Sequence, residues 1–126
     1  MISFSRADRV SGLLQEVLSE ILKKEVADPR LRMATITGVK MSADLKLASV
    51  YYTTSGDKKT INAAAQAFDR AHGYIKKKLA QQLELRYMPQ LRFFYDESYD
   101  YGSRIEKLLK TVSSENETNE TDHRTN

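Results

Sequence analysis

Residues 60–84 read TINAAAQAFDRAHGYIKKKLAQQLE, and the phase of their apolar side chains decides the fold. Ile61, Ala64, Ala65, Phe68, Ile75, Leu79 and Leu83 recur at three- and four-residue steps, the spacing of one face of an α-helix. A straight helix of this length would run about 37 Å at 1.5 Å per residue, which is long for a small domain. Gly73 stands in its middle, at a cost of roughly 1 kcal/mol relative to Ala. Together these facts predict a kink or break at Ala71-His72-Gly73, with two helical segments sharing one apolar stripe. Tyr87-Met88-Pro89 ends the second segment.

Upstream, Gly56-Asp57-Lys58-Lys59 is a turn, and two β-rich runs precede it: Ala34 to Met41 and Leu45 to Thr54, joined by Ser42-Ala43-Asp44. They read as a hairpin. Ile36 falls on one parity and Val39 and Met41 on the other, so a bulge near Gly38 is expected to restore a common face. Ala48, Val50 and Tyr52 share one face of the second strand and Leu47, Ser49 and Tyr51 the other. Both faces are partly apolar, so the pattern leaves open which meets the helices. Before the hairpin, Val10, Leu13, Leu14, Val17, Leu18, Ile21 and Leu22 mark an amphipathic helix over Ser5 to Val26. Ser5 and Asp8 resemble a capping box, and Asp28-Pro29 stops the helix. Downstream, Leu91 to Asp96 is a third strand, and Ser103 with Glu106 opens a short last helix through Ile105, Leu108 and Leu109. The fold class expected is α+β, a three-stranded sheet packed by helices.

The 126 residues weigh 14.4 kDa and fit one domain. We expect a folded domain over 1–112 and a tail over 113–126; the tail has no apolar residue to offset its ordering entropy and should be disordered. The chain has no cysteine, which excludes disulfide scaffolds, thiolate metal sites and thiol nucleophiles. His72 and His123 are its only imidazoles. No apolar run approaches the roughly 18 residues of a membrane span, and the opening residues lack the layout of a signal peptide, so a cytoplasmic protein is expected. Residues 1–112 carry 19 basic and 13 acidic side chains, whereas 113–126 carry one and four. A small basic domain with an acidic tail suits a polyanionic partner, nucleic acid first among them.

The order helix, strand, strand, helix, kink, helix, strand is that of a type II KH domain. KH domains usually hold a G-x-x-G loop between their central helices, which clamps nucleotide backbone. None occurs here; Ala71-His72-Gly73 takes its place. This, with Arg6-x-x-Arg9-Val10, Asp28-Pro29-Arg30-Leu31, Ser42-x-Asp44-Leu45, Arg86-Tyr87-x-Pro89-x-Leu91-Arg92-Phe93, Tyr95-Asp96-Glu97-Ser98 and Gly102-x-Arg104-Ile105-Glu106-x-Leu108-Leu109, resembles the ribosome-binding factor A family across residues 6–109. Ala43 stands where the family usually has Pro, and Arg32 where it often has Gly. The resemblance implies a non-catalytic assembly factor, often linked to growth in the cold. It would bind immature 30S subunits as a monomer, contact 16S ribosomal RNA and assist rRNA processing and maturation, with no cofactor, metal, membrane or small-molecule substrate. The alternative is a generic KH-type single-strand RNA binder.

The resemblance places RNA contact around Arg70, Ala71, His72, Gly73, Lys76, Lys77 and Lys78. At about 100° per residue, Arg70, Lys77 and Gln81 share the face opposite the Ile75–Leu79–Leu83 stripe, while Lys76 and Lys78 flank it. Their plain reading is a solvated helix face. Ala71 and Gly73 would let RNA backbone approach or would serve helix packing, and free amides at the start of the second segment would meet a phosphate. His72 faces inward on a straight helix. Arg6 and Arg9 on the opening helix, and Arg30 and Arg32 on the loop after Pro29, are further candidates for RNA contact. Asp96, Glu97 and Asp100 follow a strand beside Ser98, where turn and cap residues belong rather than a catalytic pair.

Overall fold

The computed structural model describes residues 5–98 and 108–109. The chain divides into two compact units, residues 1–96 and 97–126, and all the elements described here lie in the first. The expected last helix and tail lie outside the described residues, except Leu108 and Leu109, which are helical and exposed.

Helix α1 spans Arg6–Lys24. Its start is the complete capping box: the Asp8 amide donates to the Ser5 hydroxyl at 3.1 Å and the Ser5 amide to the Asp8 carboxylate at 3.0 Å. Leu14, Leu18, Ile21 and Leu22 are buried, each contributing roughly 1.5–3 kcal/mol. After it comes α2, the four-residue turn Pro29–Arg32, where a loop was expected. Asp28 caps it and Pro29 occupies its first turn, so the same Asp-Pro pair that ends one helix begins another.

Strands β1 (Thr35–Met41) and β2 (Leu47–Thr53) pair antiparallel, and their register shifts between Ile36 and Gly38. The bulge is therefore where parity demanded it. The bulge residue Thr37 donates its hydroxyl to Asp96 at 2.6 Å, tying the irregularity to the end of β3. β3 (Gln90–Tyr95) pairs parallel to β2, giving the order β1-β2-β3. Burial settles the face left open by the pattern: Ala48, Val50 and Tyr52 are buried, whereas Leu47, Ser49 and Tyr51 are half-buried. Phe68 sits among the sheet aromatics, 4.4 Å from Tyr52 and 4.7 Å from Phe93 between ring centroids.

A parallel pair needs a long crossover, and α3 supplies it. Of the kink or break expected at Ala71-His72-Gly73, the break does not occur: α3 is one continuous α-helix over Lys58–Gln82. The reason is a matter of magnitudes. Glycine costs the helix about 1 kcal/mol, while Phe68 before it and Ile75 and Leu79 after it are buried on the same side, at roughly 1.5–3 kcal/mol each. Breaking the helix would lift one set off the core.

Candidate nucleic-acid interface

The outward face of α3 carries the expected cations in a consistent order. Arg70, Gly73, Lys76, Lys77 and Gln81 are exposed, and Ala71 is half-buried against the core. Among the described residues Arg70, Lys76 and Lys77 form no ion pair within 4.0 Å. A Cβ built on Gly73 would meet nothing within 4 Å, so its missing side chain answers no need of the fold. The packing role weighed for Ala71 and Gly73 thus belongs to Ala71 alone. The amides expected at the start of a second helix are not free either; within an unbroken α3 they lie inside the hydrogen-bond ladder. Any anion met here is met by side chains.

Lys78 differs from its neighbours. It is half-buried, lies 4.0 Å from the Glu25 carboxylate and stands 5.6 Å from the Tyr74 ring centroid. Glu25 is the C-cap of α1, and three residues one helical turn apart on α3 converge on it. The Tyr74 hydroxyl donates to its carbonyl at 2.9 Å, Gln82 Nε2 to its carboxylate at 3.0 Å, and Lys78 faces the other carboxylate oxygen. Lys78 therefore joins α3 to α1. The signal was in the sequence as a Tyr-Lys-Gln series at four-residue steps, but its target on α1 was not.

His72 points inward. Its Nε2 lies 3.1 Å from the Leu91 carbonyl, so that nitrogen carries the proton, and its ring stands edge-on to Phe93 at 5.9 Å. It fixes α3 on β3, beneath the cationic face.

The second group of arginines is divided. Arg30 is clamped on Asp28 through Nε to Oδ1 at 3.0 Å and its terminal nitrogen to Oδ2 at 2.7 Å. This bidentate bond is the main reason the Asp28 carboxyl sits below its usual range; exposed Arg70 adds a smaller push in the same direction. Arg32 spends its Nε on the Val26 carbonyl at 3.0 Å. Both are constrained, contrary to the loop expected there. Arg6 and Arg9 are exposed on the first turns of α1. Arg6 lines a groove distant in sequence from the α3 cations, together with Lys46, Arg86 and Tyr87. The sequence reading used Tyr87 as a helix stop and as part of a family string, not as a site residue.

Among the described residues no three His, Asp or Glu side chains gather as a metal site, and no helix is long and apolar enough to cross a membrane.

A profile of the family described as ribosome-binding factor A matches residues 6–109. A ribosome-binding factor A from Desulfatibacillum aliphaticivorans is 52% identical over 112 residues, covering 89% of this chain and 91% of the relative. The chain belongs to the ribosome-binding factor A family. Its fold agrees with solved structures carrying that name. The solution structure of a putative ribosome-binding factor A from Thermotoga maritima matches with a TM-score of 0.66 at 28% identity, over 75% of this chain and 90% of the other. A Thermus thermophilus ribosome-binding factor A homology model, fitted into a cryo-EM map of its complex with the 30S subunit, matches with a TM-score of 0.57 at 28% identity, over 67% and 88%. The α+β architecture expected from the sequence, a three-stranded sheet packed by helices, is found here and is consistent with a KH-like fold.

Proposed function

We propose that this protein binds the immature 30S subunit through phosphates of its 16S ribosomal RNA and assists late maturation of that subunit, including rRNA processing, without catalysing a reaction. The observation that carries the reading is the row Arg70–Gly73–Lys77, with Lys76 beside it, on one continuous helix. Among the described residues its cations form no ion pair within 4.0 Å, and a Cβ added to its glycine would meet nothing within 4 Å. Cations presented along a continuous helix suit a sugar–phosphate chain, and a missing side chain between them lets that chain come close. The Thermus thermophilus relative was fitted on a 30S subunit, which supports the choice of partner. Arg9 is exposed on α1 and free to add a contact, whereas Arg30, Arg32 and Lys78 serve the fold first. On this reading the protein acts as a monomer in the cytoplasm and matters most for growth in the cold.

The test is co-sedimentation with immature small subunits. Lys76→Glu with Lys77→Glu reverses two unpaired charges and touches no internal bond, so circular dichroism stays unchanged while co-sedimentation is lost. Lys78 is left intact because its ion pair with Glu25 would confound the result. Wild-type affinity falls with salt, log K dropping by roughly 0.7–0.9 per phosphate contact per log unit. Unchanged co-sedimentation of the double variant refutes the assignment to α3.

A further inference from the structure

The groove at the other end of the sequence order is built, not incidental. It lies where the start of α1, the β1–β2 turn and the α3–β3 connection are brought together, and it encloses about 390 Å³. That is at the small end of the roughly 300–1,000 Å³ typical of ligand sites, the scale of one nucleotide rather than of a protein segment. Three cationic side chains line it, Arg6, Lys46 and Arg86, against one carboxylate, Asp44. The Asp44 carboxylate is already engaged: it accepts from the Ser42 hydroxyl at 2.7 Å and the Lys46 amide at 3.1 Å. Among the described residues none of the three cations forms an ion pair within 4.0 Å.

Tyr87 stands at the edge of this groove and is 75% exposed, more than any other large hydrophobic residue described. A single exposed tyrosine is ordinary. This one is held out by its neighbours. Leu85 and Met88 pack on the core and Pro89 is fully buried, so the connection is anchored on both sides of it. The Gln90 amide donates to the Lys46 carbonyl at 2.8 Å, which pins the connection to the hairpin turn. The Arg86 guanidinium lies 5.4 Å from the centroid of the Tyr87 ring, a cation–π pair that holds the ring in place and adds positive charge beside it. An exposed tyrosine with a guanidinium over one side of its ring and further cations in the adjoining groove suits a nucleotide: the base stacks on the exposed ring and the phosphate is neutralised.

We propose that this groove binds one unpaired RNA nucleotide, its base stacked on Tyr87 and its phosphate held by Arg6, Lys46 and Arg86. The proposal deepens the ribosomal-RNA reading and rests on it. It gives the protein two contacts of different kind: α3 meets backbone by charge, and the groove takes a base that is out of its helix. Stacking tolerates any base, so recognition here selects single-stranded RNA over duplex and not one sequence over another.

The chain has no tryptophan, so Tyr87→Trp creates its sole indole emitter in the full-length protein. Titrated with a single-stranded RNA of about ten nucleotides, near the site size of other stacking platforms, that variant should show saturable quenching. A duplex of the same length and polyglutamate should leave the emission unchanged. Tyr87→Ala should weaken binding of the same fluorescently labelled strand about 5- to 150-fold, the usual loss per stacked base. Arg6→Glu with Arg86→Glu should abolish it. Absence of quenching up to millimolar RNA, or equal quenching by duplex or polyglutamate, overturns the proposal. The Lys76→Glu/Lys77→Glu background separates the two readings. Quenching that persists there, with wild-type co-sedimentation absent, sinks the subunit reading alone. Wild-type co-sedimentation with no quenching of the Tyr87→Trp variant sinks the groove alone.

Discussion

Gly73→Ala should make this protein more stable and a poorer binder at once. Gly73 is in the interior of α3, is exposed, and an added Cβ would meet nothing within 4 Å. Nothing therefore opposes the intrinsic helical preference for Ala, about 0.8–1 kcal/mol. For a domain of this size that raises Tm by roughly 4–8 °C per kcal/mol. With a urea m-value of about 1–3 kcal/mol/M it moves the midpoint up by about 0.3–1 M. Urea titration followed by far-UV circular dichroism reads the gain, and co-sedimentation with immature subunits reads the loss, because the methyl group occupies the space left for RNA backbone. Gly56→Ala is the control. Gly56 has φ +112°, and a Cβ there would lie 3.2 Å from Thr60 Oγ1, so that variant should lose more than about 1 kcal/mol. A Gly73→Ala midpoint that falls or stays put would refute the reasoning, since it would mean that the helix needs glycine at this point for a bend of its own.

Two further outcomes follow from the bonds that hold the elements together. Tyr74→Phe removes the hydroxyl that reaches the Glu25 carbonyl and should cost about 0.5–1.5 kcal/mol in the same titration, with the α3 cations and RNA binding unaffected. Stability should also fall on acidification below about pH 4. The Asp57 carboxyl is held below its usual range chiefly by the Thr60 amide, and that of Asp28 chiefly by Arg30. Because both folded values lie below the unfolded one, their contribution is complete above the unfolded value and is lost as pH falls through the folded values. Asp57→Asn should flatten the acid limb of a stability–pH curve relative to the parent chain.

Local rules made much of the fold legible. The Ser5 and Asp8 cap, the helical stripe of α1, and the bulge demanded by the parity of Ile36 against Val39 and Met41 each depend on a few adjacent residues, and each is found in place. The family strings placed those elements in a known order. Legibility stopped where a local preference competed with distant packing. Gly73 argued for a break, and α2 was hidden because Asp28-Pro29 signals both a stop and a start. The candidate site divided along the same line. Exposure of Arg70, Lys76 and Lys77 follows from helical phase, but the fates of Lys78, Arg30 and Arg32 depended on Glu25, Asp28 and the Val26 carbonyl.

The sequence by itself determined the periodicities, the caps, the basic surface and the kinship, because each is written in residue type and spacing along one stretch of chain. Only the tertiary structure decided which sheet face is buried, that α3 runs unbroken, which cations remain unpaired, and that Arg6, Lys46 and Arg86 meet beside Tyr87. Most of those outcomes turn on burial and contacts between residues far apart in the chain, such as Lys78 with Glu25. Burial of a large apolar side chain, roughly 1.5–3 kcal/mol, exceeds the roughly 1 kcal/mol preference of any single residue for its own conformation.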